Sequence, residues 1–331
     1  MKPRITTPAD LISKTPHVSS RREFLRGIAG LIGSASLIHG FTTDLIADED
    51  KPALKPRAKR VVKTTCDLAV AKGSSPALIT RKAIEALGGM GLFVKQGDVV
   101  VVKPNIGWDR SPAQAANTHP DVVAEIVRLC YAAGARTVKV FDRTCNDPAM
   151  CYRTSGIAAA AEKAGGRVSH TIDWKFIPAA FPEGSAMGRW KLYRDAVECD
   201  VFINVPVAKH HSLTRLTLSM KNLMGVCGGL RGQIHWNIDE KLADLTAFIA
   251  PNLTVIDATR ILLRNGPSGG RLNDVKAART VIAGTDPVLS DAYAATLFGI
   301  QPRDIGHIKT AELRGIGSAD ISGAKIRRVA S

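Results

Sequence analysis

The chain has 331 residues, 45% of them apolar, and a formal charge of +15. That is enough apolar material for a large core, which excludes a mainly disordered chain. Residues 1–50 hold six basic and six acidic side chains, so the whole excess belongs to residues 51–331 and points to anionic partners. No basic repeat is interleaved with aromatics, so nucleic acid is not an expected partner.

In chain order, the first feature is S-R-R-E-F-L at residues 20–25, in which Arg21, Arg22, Phe24 and Leu25 form the pattern of a twin-arginine export signal. A small-residue apolar run over 27–41 follows, about 15 residues long and too short for a membrane span. Residues 1–50 are therefore expected to be a signal peptide and linker read by the twin-arginine machinery. They would send the protein to the periplasm already folded, either cleaved or retained as an anchor. No other stretch approaches transmembrane length. Residues 51–331 are expected to form a single α/β domain, with the basic cluster at 51–63 as a solvated linker.

Strand and helix patterns then alternate, the signature of a mostly parallel open sheet flanked by helices. Strands are predicted at 61–70, 98–103, 137–141, 201–205, 253–257 and 280–283, with a short one in the tail after 315. Helices are predicted at 76–87, 120–133, 157–164, 217–224, 238–249 and 287–298, the last opened by Asp286. Gly134 is the expected stop of the 120–133 helix, and Asn117 or Thr118 its cap. Residues 171–193 break the rhythm and predict a small β or irregular insertion.

Ligands of parallel sheets bind beyond the strand carboxyl ends, and here those ends are polar. They offer Lys103 and Asn105, Asp142 with Arg143 and Cys145, Asn204 with Lys209, His210 and His211, Asp257 with Arg260, and Asp286. Thr118 and His119 precede Pro120 at a helix start suited to an anion, and Lys221-Asn222 leads into a glycine turn followed by Arg231 and His235. Lys103, Lys209, Lys221, Arg231 and Arg260 together predict a pocket for a small phosphate or carboxylate ligand.

The six cysteines contain no C-x-x-C, so neither a zinc ribbon nor a ferredoxin pattern is present. Cys145 and Cys151 could instead meet as a disulfide. Three further alternatives stay open for the cofactor: none, a metal ion, or an iron–sulfur cluster. The metal would use His119, His210 and His235 with Asp142, Cys145 or Cys227, and the cluster Cys145, Cys151 and Cys227. Asn265 to Gly270 (NGPSGG) is not a phosphate loop but a tight loop at the pocket rim, and no G-x-S-x-G elbow occurs.

The ordered set VVVKPNIG (100–107), THPDVV (118–123), INVPVAKHH (203–211), SMKNLMG (219–225) and NLTVIDATR (252–260) resembles the family catalogued as domain of unknown function 362. The resemblance spans about residues 61–298 and implies that family's fold and a pocket. Some members carry an added ferredoxin-type cysteine cluster, which this chain lacks. The functional expectation is an exported enzyme acting on a small anion. Lys103, Lys209 and Lys221 would hold the anion, and His210 or Asp142 would move a proton. The alternative is a non-catalytic ligand-binding or redox-accessory protein.

Overall fold

The computed structural model describes residues 52–330. The signal residues Arg21, Arg22, Phe24 and Leu25 therefore lie outside the described residues. Among the described residues no helix is long and apolar enough to cross a membrane.

The strands are β1 (Leu68–Lys72), β2 (Val99–Pro104), β3 (Thr137–Val140), β4 (Arg167–Val168), β5 (Phe176–Ala180), β6 (Arg189–Tyr193), β7 (Val201–Val205), β8 (Val207–His211), β9 (Arg215–Thr217), β10 (Leu253–Leu262), β11 (Val275–Lys276), β12 (Thr280–Gly284) and β13 (Ile326–Ala330). Eleven of them form one mixed sheet, with the order β13-β1-β12-β10-β7-β2-β3-β4 along its main path. Only β12 runs antiparallel to both neighbours on that path; the other pairings on it are parallel. The predicted α/β class, with a mostly parallel sheet, is what the chain adopts. The predicted insertion is the separate antiparallel pair β5–β6.

Alternation divides the sheet's apolar side chains between its two faces, because successive side chains of a strand point to opposite sides. Val100, Val102, Val138, Val140, Val201 and Ile203 pack under the helices Pro76–Leu87 and Pro120–Ala132. Val101 and Phe202 point the other way, toward the helix Ile238–Ile249 and the β5–β6 pair. A run of four valines in β2 suits this position, buried on both faces, where each side chain contributes about 1.5–3 kcal/mol.

Several expectations are corrected. The first strand begins at Leu68 rather than 61, and Val61 is exposed. His119, not Asn117 or Thr118, caps the helix Pro120–Ala132, its Nδ1 accepting from the Asp121 N–H at 3.2 Å. Residues 217–224 are not one helix: β9 ends at Thr217, Ser219–Asn222 makes one helical turn and Leu223–Val226 tightens to 3-10. The basic segment at 51–63 is not a solvated linker. Leu54 pairs with β5, its N–H donating to Pro178 O at 2.8 Å. Arg57 is buried, donating to Ile249 O at 2.9 Å and Asn252 Oδ1 at 3.0 Å. Carbonyls exposed at helix and strand ends draw the cation inward. Asp286 is at the opposite sheet edge from the other polar ends, because β12 is antiparallel; it caps the helix Pro287–Thr296.

The main departure lies after Val205. The chain does not end its strand there but bends at Pro206 and continues as β8. That strand pairs with the far half of the unusually long β10, bringing Val207 beside Asp257 and Lys209 beside Leu262. β9 returns antiparallel, setting Thr217 opposite Lys209. The β8–β9 hairpin thereby stands over the carboxyl edge of β2 and β7.

Candidate functional site

The floor of the site is a buried polar network. Register pairs Lys103 of β2 with Asn204 of β7. Lys103 Nζ lies 2.8 Å from Asp142 Oδ1, an ion pair off the angle of a hydrogen bond. It donates to Pro104 O at 2.8 Å and Asn222 Oδ1 at 3.2 Å. Asn222 Nδ2 donates to Asn204 Oδ1 at 2.8 Å, Asn105 Nδ2 to Asn222 Oδ1 at 3.0 Å, and Asn204 Nδ2 to Ser219 O at 2.8 Å. The other carboxylate oxygen of Asp142 accepts from the Ile106 N–H at 2.8 Å. Burial pulls the Lys103 ammonium below its ordinary range, against the pull of Asp142. Such a network persists only because nearly every member is satisfied. Gly225 closes over it, and a Cβ there would stand 1.8 Å from Asp142 Oδ1 and 2.6 Å from Lys103 Cε.

Above this floor opens a cavity of about 320 Å³. Its lining includes the cations Arg143, Lys209, Lys221 and Arg231, and its one carboxylate among the described residues is Asp142, already paired with Lys103. Lys209 is buried; its Nζ donates to Ala116 O at 2.5 Å and Asn105 Oδ1 at 3.2 Å, and stands 6.0 Å over the Trp108 ring. Lys221 is buried too, with Nζ 3.0 Å from Met224 Sδ and 3.2 Å from His235 Nε2. Among the described residues neither lysine has a carboxylate at salt-bridge distance. Burial lowers Lys209 to about 7 and Lys221 to about 8, Arg231 adding to the second. His211 lines the cavity, its ring stacked 5.9 Å from that of His235. Burial and then the two lysines hold His211 down to about 3, a neutral imidazole whose Nδ1 accepts from the Leu213 N–H. His235 is lowered by burial and by Lys221; its Nδ1 is 2.9 Å from Gly232 O, which assigns the proton to Nδ1 and leaves Nε2 to accept from Lys221.

Of the sequence-predicted residues, the fold brings Asn105, Asp142, Cys145, Lys209, Lys221, Asn222, Arg231 and His235 to this cavity. Lys103 and Asn204 lie in the floor beneath it. The others are elsewhere. Thr118 is a buried brace, donating to Val205 O at 2.7 Å. His119 is a helix cap, and its N–H bonds Asp257 Oδ2 at 2.7 Å. Asp257 is mid-strand, its carboxylate filled by Arg260, Thr259 and His119. Arg260 spends its remaining donors on Pro112 O and Asn117 O, at 2.8 Å each. His210 turns away from the cavity, where its Nδ1 accepts from the Gly266 N–H at 3.1 Å.

Arg143 and His211, expected only as polar groups at strand ends, also line the cavity, as do Trp108 and Met224, which the sequence did not single out. His211 was reachable by parity: on a strand, residues two apart share a face, so the neighbour of an inward Lys209 is His211 and not His210. The rim loop at 265–270 contributes Pro267.

The metal candidates do not converge. Cys145 is exposed, Cys151 and Cys227 are buried, and all six cysteines are free thiols, Cys145 and Cys151 included. Burial raises the Cys227 thiol to about 12 and Cys151 to about 11. Among the described residues no three His, Cys, Asp or Glu side chains are grouped as metal ligands.

A mixed, mostly parallel sheet with a cation-lined cavity over its carboxyl edge defines the class: an α/β protein with a candidate small-ligand site at the strand ends. Residues 100–296 match the family described as Domain of unknown function (DUF362), and the chain belongs to that family. It is similar to the thylakoid-associated protein sll1697 of Synechocystis sp., 26% identical over 253 residues, covering 71% of this chain and 74% of that one. Among solved structures it resembles the lactate racemase apoprotein of Thermoanaerobacterium thermosaccharolyticum, with a TM-score of 0.40 and 10% identity. That match covers 79% of this chain and 62% of the other.

Proposed function

We propose that the protein binds a small multiply charged anion, a carboxylate or oxyanion, in the 320 Å³ cavity and acts on it as an enzyme by proton transfer. One observation carries the reading: Lys209 and Lys221 are buried side chains of one cavity, and neither has a carboxylate partner among the described residues. Buried cations are ordinarily paired, and groups perturbed in this way concentrate at functional sites. A bound anion would supply the missing charge. Asp142 is a poor base here, because Lys103 and the Ile106 N–H already hold its carboxylate. His210 faces elsewhere. The proton-moving role passes to Lys209, which near neutral pH divides between its acid and base forms.

The sign of the pH dependence follows. An anion binds best when both lysines carry their protons, and it raises their affinity for protons. Binding is therefore expected to take up protons at pH 7–8, and affinity for malonate or sulfate to fall more than tenfold between pH 7 and 9. Without anion, the native state holds fewer protons on these lysines than the unfolded chain does, from about 7 upward to the ordinary lysine value. Their contribution to stability consequently grows as pH rises through that window. Calorimetry in two buffers of different ionisation heat measures the proton uptake; no binding of any small anion, or binding without uptake, defeats the proposal.

The second reading is a ligand-binding protein without chemistry, favoured by the engagement of Asp142 and the outward turn of His210. Proton NMR of small carboxylates in deuterated water separates the two. Exchange of a carbon-bound proton that Lys209→Met removes supports the enzyme, whereas binding without exchange across the panel supports the carrier.

Export is proposed on residues 20–25 alone. Arg21→Lys with Arg22→Lys is expected to leave the full-length precursor in the cytoplasm, and unchanged export of that variant would refute the signal.

A further inference from the structure

Cys145 is the one exposed cysteine; the other five are buried. Its backbone is pinned, the Cys145 N–H donating to Gly107 O at 2.8 Å. The Arg231 guanidinium donates to Cys145 Sγ at 3.2 Å and is itself held by Arg143 O at 2.5 Å and Thr144 O at 2.9 Å. The cation is thus fixed on the sulfur rather than swinging in solvent. Cys145 lines both the lysine cavity and an open groove outside it, and Arg143 and Arg231 are likewise shared by the two. The sulfur stands at the neck between the buried lysines and solvent. Independently of the thiol, Lys209 and Lys221, each more than nine-tenths buried and without a carboxylate partner among the described residues, mark the inner side of that neck as a place for an anion. The Arg231 guanidinium on the sulfur and the cations lining the cavity stand where they would meet the negative charge of an incoming anion.

We propose that Cys145 is a nucleophile that covalently captures small anions bearing an electrophilic carbon next to a leaving group. The inference rests on the anion-binding reading above and adds a reaction to it. The thiol proton passes to water and Sγ attacks the carbon. An S–C bond forms as the bond to the leaving group breaks, and the leaving group departs with its electron pair. Lys209, Lys221 and Arg231 hold the anionic end of the incoming molecule so that its carbon faces the sulfur.

Iodoacetate and iodoacetamide test this on the full chain, because they deliver the same carbon with and without a negative charge. Ordinary thiols react faster with the neutral reagent. Labelling at Cys145 is read by peptide mass spectrometry at pH 7. The ratio of the iodoacetate rate to the iodoacetamide rate is expected to be at least tenfold higher in the native protein than in the same protein unfolded in urea. Malonate should protect, and Lys209→Met should lower the ratio several-fold. A native ratio equal to the unfolded one overturns the inference, as does a raised ratio that Lys209→Met leaves unchanged. Malonate binding with proton uptake alongside an ordinary ratio would refute the nucleophile and leave the anion site standing; neither effect would remove both.

Discussion

Lys209→Met is expected to weaken malonate or sulfate binding by about 10²- to 10³-fold, roughly 3–4 kcal/mol, the scale of losing one charge of a desolvated pair. Methionine keeps the unbranched bulk beside Trp108 and removes only the ammonium. Two opposing terms keep the stability change small. The buried cation no longer has to be desolvated, which favours the variant, while Ala116 O loses its donor, which costs about 1–3 kcal/mol. The variant should also lose the Lys209 share of the stability gain between pH 7 and 10. Calorimetric titration with thermal melts at several pH values measures both effects. Wild-type affinity in Lys209→Met would mean that the anion, if one binds, sits elsewhere.

Asp142→Ala is expected to cost about 3–5 kcal/mol of stability, the penalty for leaving a buried cation without its partner. Here that cation is Lys103, fully buried and 2.8 Å from the carboxylate. For a body of this size the loss corresponds to a fall in Tm on the order of 10 °C. The double variant Lys103→Met with Asp142→Ala should recover most of it, because neither charge is then stranded. Gly225→Ala probes the same pair from above, since its new methyl would overlap the Asp142 carboxylate; it should be destabilised by a comparable amount. A Tm within 2 °C of wild type for Asp142→Ala would show that the pair is not what holds the floor together. This is why Asp142 reads better as the foundation of the site than as its acid or base.

Most of the framework was legible because it is written in local patterns. The four valines of β2, the Pro-started helix Pro120–Ala132 and the Asp286-capped helix Pro287–Thr296 each announce their type and limits through side-chain periodicity and end chemistry. Errors gathered where local pattern is ambiguous. Val61 and Val62 are apolar yet precede the strand, since no neighbour pairs with them. β8 reads V-A-K-H-H, a polar loop by composition, and becomes a strand only because β10 runs ten residues and offers it an edge.

The site divides along the same line. Lys103, Asn105, Asp142 and Asn204 follow directly from strand ends, so their clustering could be anticipated from the carboxyl-edge rule. Asp257 and Arg260 look equivalent in sequence, but β10 continues past them and they neutralise each other. By itself, then, the sequence determined most of the elements before Pro206 and the helices Ile238–Ile249 and Pro287–Thr296, the family and a cationic carboxyl edge, because these depend on residues close together in the chain. Tertiary structure alone decided which cations are left without a carboxylate among the described residues, that the chain after Val205 continues as the strand β8, and that Asp142 is sealed by Lys103. Each of these is settled by which distant strand supplies the neighbour, and no local pattern carries that information.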